Sequence, residues 1–157
     1  MHLVPSKFFV ASGKASSPVS DLNAFDLALH RAGISEQNLV AVSSVIPEGA
    51  EEAPAAEMPM GAVTHCVLSQ IRGPGGSRIS AGIAYARRAD GRGGYVAEGR
   101  LFGSADALRA ELGDKMREMA RMRGVELEGL RIVAEEMSVP SGEHGCCVAA
   151  LVFSEYR

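Results

Sequence analysis

The sequence predicts an α+β fold with two helices and a mostly antiparallel sheet. Three observations predict it. Segments with two-residue alternation are separated by glycine-rich turns, the pattern of hairpins. Only two stretches carry apolar residues at helical spacing. Hairpins outnumber strand–helix–strand units, which argues against a parallel sheet.

The elements follow in order. Phe8-Phe9-Val10-Ala11 reads as a short strand, and Ser12 to Ser20 as a loop rich in Gly, Ser and Pro. A helix is expected from Asp21 to Ala32, capped by Ser20 or Asp21 and closed at Gly33. Its apolar stripe is Leu22, Phe25, Leu29 and Ala32. Asn38 to Val42 reads as a short strand. Pro47 to Pro59, rich in Pro, Glu and Ala, reads as an exposed loop. Ala62 to Ile71 alternates as a strand. Gly73-Pro74-Gly75-Gly76 is turn chemistry, and Ile79 to Tyr85 alternates again, so the two strands are expected to form a hairpin. A turn over Asp90 to Gly94 leads to a strand from Tyr95 to Glu98. Ser104 caps a second helix, Ala105 to Arg123, with a stripe of Ala105, Leu108, Leu112, Met116 and Met119, and Gly124 ends it. Leu130 to Met137 is a strand. Cys146 to Phe153 is an unbroken apolar run, read as a strand buried on both faces.

Composition narrows the function. The chain has 157 residues, enough for one domain with a sizeable core. Apolar residues make up 46% and charged residues 22%, so the chain reads as globular. A net charge of −3 and the lack of any Lys/Arg run point away from nucleic acid and anionic membranes. No apolar run reaches transmembrane length, and residues 1–12 lack the features of a signal peptide. Three cysteines, two of them adjacent, make no disulfide framework. The expectation is a reduced, cytoplasmic protein.

Few residues carry chemistry. No His or Cys pair has metal-ligand spacing, so no metal is expected. Gly73 to Gly76 lacks the lysine and the helix of a phosphate loop. Ser43-Ser44 stands apart, where a strand meets the Pro47 loop. The Ser44 hydroxyl can attack the Ser43 carbonyl and convert the peptide bond to an ester. β-Elimination then frees Ser43 as a new C-terminus. The dehydroalanine left at position 44 hydrolyses to a pyruvoyl group with loss of ammonia. Such attack needs an oxyanion donor, and the Asn38 amide is the candidate. Taken alone, the pair reads as an ordinary Ser-Ser turn. Asp26 lies at the edge of the first helix's stripe, where a carboxylate wants a cation, from a ligand or from an arginine of the protein. Glu98 shares a strand face with Val96. There it can serve as a general acid or lie in solvent at a sheet edge.

Together these residues resemble the pyruvoyl-dependent arginine decarboxylase family. The resemblance runs from near Phe8 to the last strand. Its most specific part is Leu22-Asn23-Ala24-Phe25-Asp26, then Ala32-Gly33-Ile34, Asn38-Leu39, and Ser43-Ser44 with Ile46-Pro47. Met60-Gly61-Ala62, Ile79-Ser80-Ala81, Gly94 to Glu98 and Glu118-Met119-Ala120 extend it. The sequence departs from the family at Ser35, Gln37 and Glu48, which leaves the cleavage motif intact.

The resemblance implies cleavage between Ser43 and Ser44 within one domain, giving a β chain of 1–43 and an α chain of 44–157. Ser44 would become a covalent pyruvoyl group, with no pyridoxal phosphate and no metal. Arginine would be held on that group as a Schiff base and lose CO₂ to give agmatine. Glu98 would return the proton and Asn38 would support processing. Asp26 would receive the guanidinium, with Leu22 and Val45 also in contact with substrate. The implied protomer is an αββα four-layer sandwich, and the implied assembly is a homotrimer of αβ units with active sites between subunits. The competing readings are a pyruvoyl-dependent decarboxylase of another amino acid and an unprocessed, non-catalytic homologue.

Overall fold

The computed structural model describes residues 1–157. Its elements are β1 (Pro5–Ser17), α1 (Asp21–Ala32), β2 (Asn38–Ala41), β3 (Val45–Ile46), β4 (Glu51–Glu52), β5 (Val63–Pro74), β6 (Arg78–Arg88), β7 (Gly94–Leu101), α2 (Ala105–Arg123), β8 (Leu127–Ser138) and β9 (His144–Tyr156). One sheet has the order β2-β5-β9-β1-β4 and the other β3-β7-β6-β8. Pairing is antiparallel except between β1 and β4 and between β2 and β5. The class is α+β, as the sequence predicts.

The core follows from two-residue alternation. On β9, Cys146, Val148, Ala150 and Val152 join Ala24, Ala28 and Leu29 of α1 in one cluster. The intervening Ala149, Leu151 and Phe153 join Val67 of β5, Ile83 of β6 and Val96 of β7 in another, which fills the space between the sheets. The unbroken apolar run of β9 is thus a strand covered on both faces. Helix α2 seats Leu108, Leu112 and Met116 on Ala84, Ala86, Tyr95 and Ala97 of the second sheet. Burying each of those three side chains contributes roughly 1.5–3 kcal/mol. The start of α2 is fixed twice. The Ser104 side chain accepts from the Ala107 N–H, and Glu136 of β8 accepts from the Ala105 N–H at 2.7 Å.

Three expectations are corrected. First, Ser12 to Ser17 is strand, not loop; it continues β1 in register with β9 down to Ser17 opposite His144. Its small residues serve close packing. A side chain at Gly13 would run into the Ala28 carbonyl of α1, so only glycine lets that helix lie so near the sheet. Second, β5 and β6 are consecutive but do not pair. β5 ends against β9 and β6 begins against β8, in different sheets. The same glycine-rich turn serves a hairpin or a change of sheet. What decides is that Ile79 to Ala86 are all buried, so β6 needs partners at both edges and cover on both faces. Third, the buried face of α1 is Ala24, Ala28 and Leu29, whereas Leu22 is 61% exposed. The larger side chains misled the stripe because the closest contact is made by alanines.

Candidate active site

The chain changes sheet at the two serines. β2 is an edge strand of the first sheet, and its ladder with β5 continues one step further as the Val42 N–H donates to the Cys66 carbonyl at 2.9 Å. β3 is an edge strand of the second sheet, with Val45 opposite Tyr95 and Ile46 opposite Gly94 of β7. That ladder also continues one step, as the Val96 N–H donates to the Ser44 carbonyl at 2.9 Å. The Ser43–Ser44 peptide bond therefore lies in the crossing between the sheets, with hydrogen-bonded strand on either side. Ser43 is exposed and Ser44 half-buried.

Gly93 sets how closely this segment approaches β7. Its φ is +94°, and a Cβ there would sit 2.6 Å from the Ile46 carbonyl oxygen. Ile46 in turn is fully buried between the sheets with Val96. Ser44 lies two residues from Ile46, so both fall on the same side of the strand. Extending the register sets Ser44 opposite Val96, and Glu98 follows two residues on, on the same face of β7. Diagonal neighbours of this kind lie roughly 7–8 Å apart.

Glu98 is exposed and lines a polar cleft of about 550 Å³ with Ala41, Ser69, Gln70, Arg100 and Lys115. Lys115 of α2 donates to the Glu98 carbonyl oxygen at 3.0 Å, and the buried Ser69 donates to the Gly99 carbonyl at 2.5 Å. These bonds hold the β7 backbone on both sides of the carboxyl group. Burial and, second to it, the Glu98 charge push the Cys66 thiol up to about 11.

A second cleft, of about 300 Å³, lies beside Ser43. Its lining includes Val42, Ser43, Val45 and Pro47 together with His65, Phe153 and Tyr156. His65 Nδ1 and the Tyr156 hydroxyl are 2.6 Å apart, with the rings edge to face at 5.7 Å. Burial raises the Tyr156 phenol above its usual value.

The other expected residues lie apart. The Asn38 amide donates to the Gly61 carbonyl at 2.9 Å, and its backbone N–H donates to the Ala62 carbonyl. It fixes the loop before β5 and stands at the far end of β2 from the serines. Asp26 and Leu22 are exposed on the side of α1 turned away from its buried alanines, and Asp26 enters no salt bridge. Neither lines the two clefts. One chain alone therefore brings Ser43, Ser44, Val45 and Glu98 to one region and leaves Asp26 and Leu22 on another face. No three His, Cys, Asp or Glu side chains gather into a metal-binding set.

The sequence reading passed over His65, Tyr156 and Lys115. His65 and Tyr156 are separated by 91 positions, and nothing in either's local sequence marks the pair. Lys115 was legible only as a polar position on α2.

The profile of the pyruvoyl-dependent arginine decarboxylase family matches residues 7–157. The chain belongs to that family. Relatives bearing the same description include a Methanopyrus kandleri protein, 36% identical over 150 residues, with 96% of this chain and 97% of the relative covered. A Methanothermobacter thermautotrophicus protein is 33% identical, covering 96% and 98%. A Pyrococcus furiosus protein is 31% identical, covering 99% and 100%. The family match spans both serines, Asn38, Asp26 and Glu98.

Proposed function

We propose that this chain decarboxylates L-arginine to agmatine and CO₂, using a pyruvoyl group made from its own Ser44. The observation that carries the reading is the serine crossing. The Ser43–Ser44 bond spans two sheets, with Ser44 held by the Val96 N–H on the face of β7 that bears Glu98. Serinolysis there leaves a β chain of 1–43 and an α chain of 44–157.

The residues present suit the group. The Val96 N–H and the β3–β7 ladder would hold residue 44 in place after cleavage. When present, the group supplies an electrophilic ketone for the substrate's amine and a sink for the electrons left by CO₂. Glu98 is the acid that delivers a proton to the former α-carbon. Val45, which is 54% exposed, provides an apolar wall that a bound substrate or neighbouring subunit would cover. Asn38 acts through the loop it pins at Gly61, supporting the start of β2.

Asp26 and Leu22 enter from a neighbouring copy. Their exposure on a separate face leaves them open to a neighbouring subunit, and the family resemblance gives that assembly as a homotrimer of αβ units with sites between subunits, each protomer read as an αββα sandwich. A carboxylate makes a bidentate pair with guanidinium, which favours arginine over amino acids with other side chains. The three unpaired cysteines support a reducing, cytoplasmic setting.

Intact mass under denaturing conditions tests the processing, and ¹⁴CO₂ release from carboxyl-labelled arginine tests the reaction. Two chains breaking at Ser43, the larger with a pyruvoyl mass at its start, are expected. Glu98→Gln is expected to cleave normally yet release little CO₂. Release from another amino acid but not arginine would overturn the substrate, and a stable full-length chain would overturn the cofactor.

A further inference from the structure

Attack on the Ser43 carbonyl puts negative charge on its oxygen, and a donor must meet that charge. The Asn38 amide already donates to Gly61, and the Val42 N–H to Cys66. The cleft beside Ser43 offers another donor. His65 and Tyr156 line it together with Ser43, and their ring nitrogen and hydroxyl are 2.6 Å apart. A phenol keeps its proton at neutral pH, and burial strengthens that hold. With that proton given to Nδ1, the ring nitrogen acts as acceptor. The imidazole's own proton then sits on Nε2, the nitrogen not engaged with Tyr156.

We propose that His65, its tautomer set by Tyr156, donates from Nε2 to the Ser43 carbonyl oxygen during chain cleavage. This rests on the serinolysis proposed above. The Ser44 Oγ–C bond to the Ser43 carbonyl forms as the C–N bond breaks, and the hydroxyl proton passes to the departing nitrogen. His65 stabilises the tetrahedral oxyanion and keeps its own proton. Loss of the Ser44 α-proton then expels the Ser43 carboxylate. One water converts the resulting dehydroalanine to pyruvoyl and ammonia, so no oxidant or reductant is needed. His65 is thus a catalytic residue of maturation, and Tyr156 a positioning residue.

The test follows cleavage by intact mass after cell-free synthesis of the full chain, with circular dichroism as a check on folding. His65→Leu is expected to slow cleavage by about a hundredfold, the usual cost of one oxyanion donor. His65→Gln keeps a donor near the same place and is expected to restore most of the rate. Tyr156→Phe keeps the ring and loses the tautomer control, so it is expected to fall between them. Cleavage of folded His65→Leu at the parent rate would overturn the proposal and leave serinolysis standing. Equal slowing by Leu and Gln would overturn the donor role. If His65→Leu fails to fold, Tyr156→Phe decides, and an unchanged rate there overturns the proposal. A parent chain that never cleaves would remove serinolysis and this role together.

Discussion

Gly93 offers a direct test of how the serine crossing is held. Replacing it by alanine has two costs. The first is conformational, because φ is +94° and a side chain there is strained by about 1–2 kcal/mol. The second is steric. The new Cβ would lie 2.6 Å from the Ile46 oxygen, where ordinary contact begins at 3.4 Å. The obstacle is backbone, so β3 itself must retreat. Gly91 supplies the control, with φ +77° and nothing within 4 Å of its would-be Cβ. Gly91→Ala therefore carries the conformational cost alone, about 1–2 kcal/mol. Gly93→Ala adds an overpacking cost of about 1–3 kcal/mol. For a chain of this size each kcal/mol lowers Tm by roughly 2–4 °C. The comparison is best made by thermal and urea unfolding in a Ser44→Ala background, which stays uncleaved. In the Ser44 parent, Gly93→Ala should also slow cleavage, since retreat of β3 lengthens the bond from the Val96 N–H to Ser44. If the two variants are equally stable, or Gly93→Ala cleaves like the parent, the close approach does not hold the crossing.

Other outcomes follow from the same geometry. Leu112→Ala empties a fully buried position under α2 and should cost about 2–5 kcal/mol in urea unfolding. Asp26→Asn and Glu98→Gln should each abolish most turnover, while subunits of the two refolded together should regain part of it. No recovery in the mixture would place both residues in one subunit's site. Burial holds Cys66 and Cys146 up to about 11 and Cys147 up to about 12, from a usual 9.0. The unfolded chain ionises these thiols first, so their contribution is complete below pH 9.0 and is lost as pH rises through 11–12. Denaturant midpoints across that range measure it. The folded thiols should also resist alkylation at pH 8, a reaction that unfolding restores.

Much of the fold was legible because alternation and capping are local. Both helices were bounded correctly, and β9 was read as covered on both faces from composition alone. The β5–β6 pairing failed because a turn's residues do not report which sheet the chain enters next. The length of β1 failed because serine and glycine resemble loop, and their value lies in admitting α1, a partner distant in sequence. At the site, Ser43-Ser44 and Glu98 read singly as a turn and a solvent-facing charge; the family resemblance marked them, and the ladder between β3 and β7 relates Ser44 to Glu98. The His65–Tyr156 pair was invisible, since two ordinary residues become one device only when β5 and the chain's end are brought together.

The long ladder between β1 and β9 has a consequence for the mature protein. Residues 1–43 supply β1, an inner strand of the first sheet, α1, which covers that sheet, and the edge strand β2. Cleavage at Ser43 would therefore release nothing. It would turn one molecule into a two-body complex whose folded form is bound by the same ladder, from Pro5 opposite Tyr156 to Ser17 opposite His144. Before cleavage, unfolding is independent of dilution within one protomer. Afterwards the reverse step needs two fragments to meet, so stability would rise with protein concentration. Fragments separated in denaturant would reassemble at second order, although the precursor folds at first order. Maturation would then be a one-way commitment, with the intact chain serving as its own template for assembly.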